Sequence, residues 1–491
     1  MSQHNQSLKL NPFQINMLAL LLVGPVVMVV FVLLIGYRDT RVGLLGLGGL
    51  VAVGIGLATL IRPQIGTYIL VVTVFTNVSA ILVDRGLPGT NKALVILILV
   101  SVLMGRLIRR QSFHLKPPEW FLMAYGGVWL MSAFVALDRA VSLAEFIDFV
   151  KEFLIILAIV YSIHQQANWK RVIWLIILTT TGLAALGAFQ VISGNFNNTF
   201  WGFAAVTPDV DQMRLSGPIA DPNFWGQVLS AVLVLALYRV FTEKNILLRL
   251  VAGGSSLLII FSIINTYSRG AFLAMLLVLI LIFIERGINL KKIGLVLAIV
   301  FVVIPLLSPI LPTGFTERMQ TLFVFTNQED TVHEDASFRG RSSEMLSGLL
   351  MFLDSPFLGI GVGNYEEAYQ DYAAKLGLEH RTERRQAHSL YVETIAETGL
   401  FGLIAFSGVI ASLFVGFGHI RRQTKIWKPD SDWPVWITSL QIALISYLIT
   451  SIFLHGDFLR YLLFFVALGA AAIHIHTGKP RLSQPVRRKI S

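Results

Sequence analysis

Four groups of basic residues interrupt an otherwise apolar chain. Arg214 precedes Asp221-Pro222-Asn223, Arg269 sits in the tight turn Tyr267-Ser268-Arg269-Gly270, Arg339 and Arg341 head a short apolar stretch, and Arg381, Arg384 and Arg385 lead to His388. Guanidinium forks match phosphate oxygens bidentately, so several converging arginines suit a diphosphate. A basic, histidine-bearing segment re-entering lipid-soluble sequence is where chemistry or ligand binding is expected. Each group also has a plainer reading. Arg214 is placed to pair with Asp209, Asp211 or Asp221, and Arg269 to snorkel from a helix end. His388 taken alone reads as a structural hydrogen-bonder, and the Arg381–Arg385 run in part as a solvated face.

Acidic residues offer weaker signals. Glu393 and Glu397 are four apart, hence on one helical face, where they would orient His388, bind sugar hydroxyls, or cap and pair locally. Asp209 and Asp211 have a spacing seen in divalent-ion sites, but two acids so spaced arise readily by chance, and no metal site is expected. Asp148, Lys151 and Glu152 share a helix face inside an apolar run, with an internal Asp148–Lys151 pair favoured over a functional role. His455, Asp457 and Arg460 fall at another turn and are candidates for the rim of the same cavity. No Ser-His-Asp spacing stands out.

The elements that must position these residues are membrane helices. With 55% hydrophobic and 14% charged residues and a mean hydropathy of +0.70, the chain reads as an all-α polytopic membrane protein. It has no cysteine, which excludes disulfide and thiol chemistry. Runs long enough to cross the hydrocarbon lie near 15–36, 42–61, 66–83, 92–108, 120–137, 145–163, 171–192, 223–241, 247–266, 270–285, 292–310, 395–417, 434–454 and 458–476, giving 12–14 spans. Residues 1–14 are polar and precede an uncleaved first span. The organisation expected is spans over 1–310 with an outer loop at 193–222, a large extracytoplasmic loop at 311–394, further spans over 395–476, and a basic tail at 477–491.

Alternate connections carry the lysines and arginines: Arg106 to Lys116, Lys170 and Arg171, Arg239 to Arg249, Arg286 to Lys292, Arg421 to Lys428, and the tail. By the positive-inside rule these are cytoplasmic, as are both termini. The net charge of +10 is thereby explained by topology, and nucleic acid is not an expected partner. Arg214, Arg269 and His388 then face outward. In the outer loop, residues 342–354 show helical apolar spacing, suggesting an amphipathic helix on the membrane face. A turn at 359–365 comes next, glycine-rich but without a nucleotide fingerprint, so it reads as close backbone packing or a loop over substrate. A second short helix is expected from Glu366 to Leu376.

Taken in order, Arg214…Gly217…Asp221-Pro222-Asn223, then Thr266-Tyr267-Ser268-Arg269-Gly270, then Arg341…Pro356-Phe357-Leu358-Gly359-Ile360-Gly361, and finally His388-Ser389…Glu397-Thr398-Gly399…Gly402 resemble the O-antigen ligase and polymerase superfamily over roughly residues 200–420. The resemblance implies an inverting, metal-independent glycosyltransferase of the bacterial inner membrane with its active face outside the cytoplasm and no cofactor. It implies a lipid-linked oligosaccharide donor on undecaprenyl diphosphate and a lipid, glycan or protein acceptor, with membrane lipids around them. His388, Arg269 and Arg214 become the expected catalytic residues, with Arg339, Arg341, Arg384, Arg385, Asp221, Asn223 and Glu397 expected to bind substrate. The alternatives are a small-solute, bicarbonate-like transporter, which would rely on Asp148, Lys151 and Glu152, and a non-catalytic polysaccharide export component, which would be indifferent to His388.

Overall fold

The computed structural model describes residues 40–209, 212–287, 332–377, 385–456 and 459–478, with side chains omitted for 40–47 and 332–341. The expected spans at 15–36 and 292–310, the basic tail from Lys479 onward, and Asp211, Arg381, Arg384 and Asp457 lie outside those residues. So do the side chains of Arg339 and Arg341.

Among the described residues there are fifteen α-helices and one two-stranded sheet. We number the helices α1 (Thr40–Ile61), α2 (Pro63–Phe75), α3 (Val78–Val83), α4 (Thr90–Ile108), α5 (Pro117–Val135), α6 (Arg139–Ser162), α7 (Gln166–Ser193), α8 (Pro222–Thr242), α9 (Ile246–Asn265), α10 (Arg269–Glu285), α11 (Val332–Asp354), α12 (Tyr365–Lys375), α13 (Leu390–Trp427), α14 (Trp433–Thr450) and α15 (Leu459–Thr477). Seven of them, α4, α7, α8, α9, α13, α14 and α15, are long and apolar enough to cross a membrane. The protein is an all-α polytopic membrane protein, as expected. In hydrocarbon every backbone polar group must be satisfied within the segment, which is why such apolar runs become helices.

Two helices form the centre. α8 and α15 have nearly all their side chains buried, whereas α4 leaves Ile96, Val100, Leu103 and Leu107 exposed along one face. The expected span at 66–83 is broken, because Asn77 takes a left-handed backbone (φ 52°) and separates α2 from α3. The loop at 193–222 contains a hairpin that the spacing of residues did not reveal: β1 (Ala205–Asp209) pairs antiparallel with β2 (Gln212–Gly217), setting Thr207 opposite Arg214.

One end of the bundle gathers the basic connections. Lys170 donates to both carboxylate oxygens of Asp432 (2.7 and 2.6 Å), Trp436 Nε1 donates to the same group (2.9 Å), and Arg239 lies 3.4 Å from the centre of the Trp436 ring. Burial alone would raise the Asp432 carboxyl, but the hydrogen bonds from Lys170 and Trp436 and the nearby positive charges outweigh it and hold the group below its ordinary range.

The opposite end is organised by a break in α13. Gly399 has φ 63° and ψ −160°, which interrupts the helical ladder and frees backbone groups on either side. The glycine-rich turn between α11 and α12 takes them up. Ile360 N donates to Ala396 O (2.9 Å) and Gly361 N to Glu397 O (3.1 Å), while Leu400 N donates to Pro356 O (2.8 Å) and Phe401 N to Phe357 O (3.3 Å). The approach is too close for side chains: a Cβ on Gly359 would strike the Glu397 backbone, and one on Gly399 the Phe357 backbone. Of the two readings of this turn, close backbone packing is the one observed.

Asn364 ties the same turn to the start of α6. Its Oδ1 accepts from Asp138 N (2.6 Å) and its Nδ2 donates to Ser142 Oγ (2.8 Å). α12 then runs from Tyr365, as expected within a residue. α11 carries its apolar residues outward: Met345, Leu346, Leu349 and Leu353 are exposed, and the buried face is Ser343, Glu344, Ser347, Gly348 and Met351. The helix is amphipathic, as the spacing predicts, with its apolar residues on the exposed side.

Gly399→Ala is expected to lower the thermal unfolding midpoint of the purified protein sharply. It combines a positive φ with a backbone clash, about 3 kcal/mol or more. Gly253→Ala, in open space on α9, serves as the control that leaves the midpoint in place. Equal midpoints for the two variants would refute the role assigned to the break.

Candidate functional site

The two isolated arginines are brought to one place. The hairpin holds Arg214 against the turn between α9 and α10, where Arg214 Nε donates to Thr266 O (2.9 Å), three residues before Arg269. Tyr267 has a left-handed backbone (φ 52°), and Ser268 caps α10 by accepting from Ala271 N (3.4 Å), so Arg269 starts that helix half-buried. Arg214 Nη2 also donates to Asn223 Oδ1 (3.1 Å), and Asp209 lies 3.8 Å from Nη1. Asp221 accepts from Asn223 N (2.7 Å) and Phe224 N (3.0 Å) and thereby caps α8. Asp209 is thus an acid seen beside Arg214 among the described residues, which leave out Asp211. Asn223 orients the guanidinium, and Asp221 holds the helix that carries Asn223.

His388 is linked to this pair through aromatic contacts. Its ring meets His455 edge-on at 5.5 Å between centroids, and His455 meets Phe224, the neighbour of Asn223, at 5.0 Å. On its other side His388 Nε2 is 3.9 Å from Glu344 Oε2, a carboxylate buried on α11. The His388 backbone is left-handed (φ 45°), a conformation held by the anchoring of the chain two residues later, where Leu390 N donates to Ser451 O (3.0 Å) and Leu454 O (2.7 Å). Glu393 accepts from Gly456 N (2.6 Å), pinning the turn that carries His455.

Beyond the histidine, a cavity of about 460 Å3 opens between α5, α6, the glycine-rich turn, α13 and α15. Its described lining holds six carboxylates, Glu145, Asp148, Glu152, Glu366, Glu393 and Glu397, with one arginine, Arg460, and the aromatic rings of Tyr125, Trp129 and Tyr365. Glu393 and Glu397 do share a face toward this space, and Gln386 and Leu390 reach it from either side of His388. Glu397 is buried and accepts from Tyr365 N (3.1 Å). The neighbouring Tyr365 hydroxyl is pushed above its ordinary range by burial first and then by the carboxylate of Glu344.

Asp148 bonds to Lys151, the pairing favoured from the sequence, with both side chains substantially exposed. Arg385 immediately precedes Gln386 and is half-buried. Sequence reasoning missed Glu344, Glu145 and the Tyr125–Trp129 wall. Glu344 had a readable signal, since with Ser343, Ser347 and Gly348 it marks the small, polar face of α11. Glu145 and the aromatic wall had none, because their role depends on which helices pack together.

The arrangement thus has a cationic side suited to an anion and an acid-and-aromatic side suited to hydroxyls and ring faces. His388 is linked to the first through His455, and its chain neighbours Gln386 and Leu390 line the second. Residues 254–407 match a family model described as O-antigen ligase, a stretch running from α9 into α13 and containing Arg269, Arg339, Arg341, Arg384, Arg385, His388, Glu393, Glu397 and Gly399. Arg214, Asn223, His455 and the cavity walls from α5, α6 and α15 fall outside the matched stretch. None of the curated proteins compared with the chain matches it.

Glu393→Ala removes the acceptor of the Gly456 N–H and is expected to cost about 1–3 kcal/mol, read as a lowered unfolding midpoint, while Glu393→Gln keeps an acceptor and recovers most of it. Indistinguishable Ala and Gln variants would show that the Gly456 bond does not hold the His455 turn.

Proposed function

From the O-antigen ligase domain at residues 254–407, we propose that the protein transfers a glycan from a polyprenyl-diphosphate carrier to an acceptor hydroxyl at the outer face of a bacterial inner membrane. The family match supports glycan transfer of the ligase or polymerase type. What carries the finer reading is a division of residues, with Arg214 joined to the turn of Arg269 through Thr266 and six carboxylates gathered in a cavity that neither of those arginines lines. A diphosphate is repelled by six carboxylates and held by guanidinium groups, so the donor's leaving group belongs with the arginines. Sugar hydroxyls donate to carboxylates, and ring faces stack on aromatics, so the acceptor belongs in the cavity.

In the step proposed, the acceptor oxygen bonds to the donor's anomeric carbon as the bond from that carbon to the diphosphate oxygen breaks on the opposite side, inverting the centre. The hydroxyl proton passes to His388, and Glu344 at 3.9 Å stabilises the imidazolium that forms. Negative charge gathering on the departing diphosphate is offset by Arg214 and Arg269. Asn223 and the Thr266 carbonyl hold Arg214 in place beforehand, so little reorganisation is needed at the moment of reaction. Diphosphate is a good leaving group without a metal ion, and the reading is metal-independent. Arg339, Arg341, Arg384 and Arg385 are assigned to the donor's anionic and sugar portions, and the 311–394 segment to covering the reaction. Both termini are assigned to the cytoplasm, with the basic connections.

The test uses purified protein in lipid, a lipid-diphosphate-linked oligosaccharide and a panel of lipid, glycan and protein acceptors, with and without chelator. Chelator-resistant transfer is expected, falling by roughly 10²–10⁴ in His388→Ala and by roughly 10²–10³ in Arg269→Ala. Donor binding without product on any acceptor, unchanged by His388→Ala, would sink the catalytic reading.

A further inference from the structure

A second cavity, of about 360 Å3, lies beside the acid-lined one, and Glu152 and Arg460 line both. Its composition is different. The walls are apolar, with Val95 and Ile96 from α4, Leu154 and Ile155 from α6, and Phe464 from α15. Three cations stand around it, Lys92 at the start of α4, Lys151 on α6 and Arg460 at the start of α15, against a single carboxylate in the described lining, that of Glu152. Even with Asp148 bonded to Lys151, the charge balance is opposite to that of the first cavity.

The slot opens on an exposed apolar face of the bundle. Ile96 is 61% exposed and Leu154 40%, and the exposed face of α4 continues from Ile96 through Val100, Leu103 and Leu107 at helical spacing. A free phosphate gains nothing from such walls, and an uncharged lipid gains nothing from the cations. A lipid with an anionic head uses both. The arginines assigned to the donor diphosphate, Arg214 and Arg269, do not line this slot.

We propose that the slot binds an anionic membrane phospholipid, its phosphate among Lys92, Lys151 and Arg460 and its acyl chains along the exposed face of α4. Arg460 donates to Asn77 Oδ1 (3.4 Å) at the break between α2 and α3, so the phosphate adds a further partner to a side chain that also walls the acid-lined cavity. The site is independent of the transfer chemistry and stands or falls on lipid binding alone.

The experiment is native mass spectrometry of the full chain released from uncharged detergent containing equimolar phosphatidylglycerol and phosphatidylcholine with identical chains. Phosphatidylglycerol adducts are expected to dominate in the wild type. In Lys92→Gln/Lys151→Gln the preference is expected to fall roughly tenfold, each cation near a membrane surface contributing a comparable attraction. Lys92→Arg/Lys151→Arg should restore it, which separates charge from misfolding, and Lys425→Gln/Lys428→Gln at the other end should leave it unchanged. Equal adducts of the two lipids, or a preference untouched by the double glutamine variant, would overturn the site. Displacement of phosphatidylglycerol by inorganic phosphate at matched concentration would reduce it to a simple anion site. Displacement by a polyprenyl diphosphate through the same lysines would make it the donor's seat, and the phospholipid proposal would fall.

Discussion

The break in α13 at Gly399 is the constraint on which the site depends. A helix in a low-dielectric surrounding cannot leave backbone N–H and C=O groups unsatisfied, since each costs several kcal/mol there. Four such groups around Gly399 are met by the backbone of the 356–361 turn, and the contact is so close that glycine is required on both sides of it. That pairing draws the turn between α11 and α12 down against α13. With the turn come Glu344 on α11, Tyr365 on α12 and, through Asn364, the start of α6. The glycine-rich side of the acid-lined cavity is therefore held against α13 by one irregularity in that helix.

The second organising feature is electrostatic. Two differently charged sets of residues are built: Arg214 is joined to the turn of Arg269 through Thr266, and six carboxylates line a cavity that neither of those arginines lines. Under the proposed function such a field would sort donor from acceptor before any specific contact forms. At the remote end of the bundle Lys170 and Trp436 both donate to Asp432 and Arg239 stacks over the Trp436 ring, fastening α7, α8 and α14 together.

Much of this was legible in the chain itself. Hydropathy placed all seven of the helices long enough to span, since a 20-residue apolar run has no other stable form in a bilayer. The order of Arg269, the glycine-rich turn, His388 and Gly399 carries the resemblance to the O-antigen ligase family whose model matches residues 254–407. Less legible were features in which local sequence is ambiguous. The left-handed Asn77 divides what reads as one apolar run, and the hairpin at 205–217 is too short and polar to announce itself.

Sequence by itself determined the class of protein and the positions of the seven long apolar helices, because these depend on transfer free energies that act locally. Only the tertiary structure decided which residues meet. Asn223 and Thr266 are brought to Arg214 across 9 and 52 residues, Gly456 to Glu393 across 63, and Asn364 to Ser142 across 222. Those meetings depend on helix packing and on backbone groups finding partners around Gly399, properties of the assembled bundle that no segment of the chain carries alone.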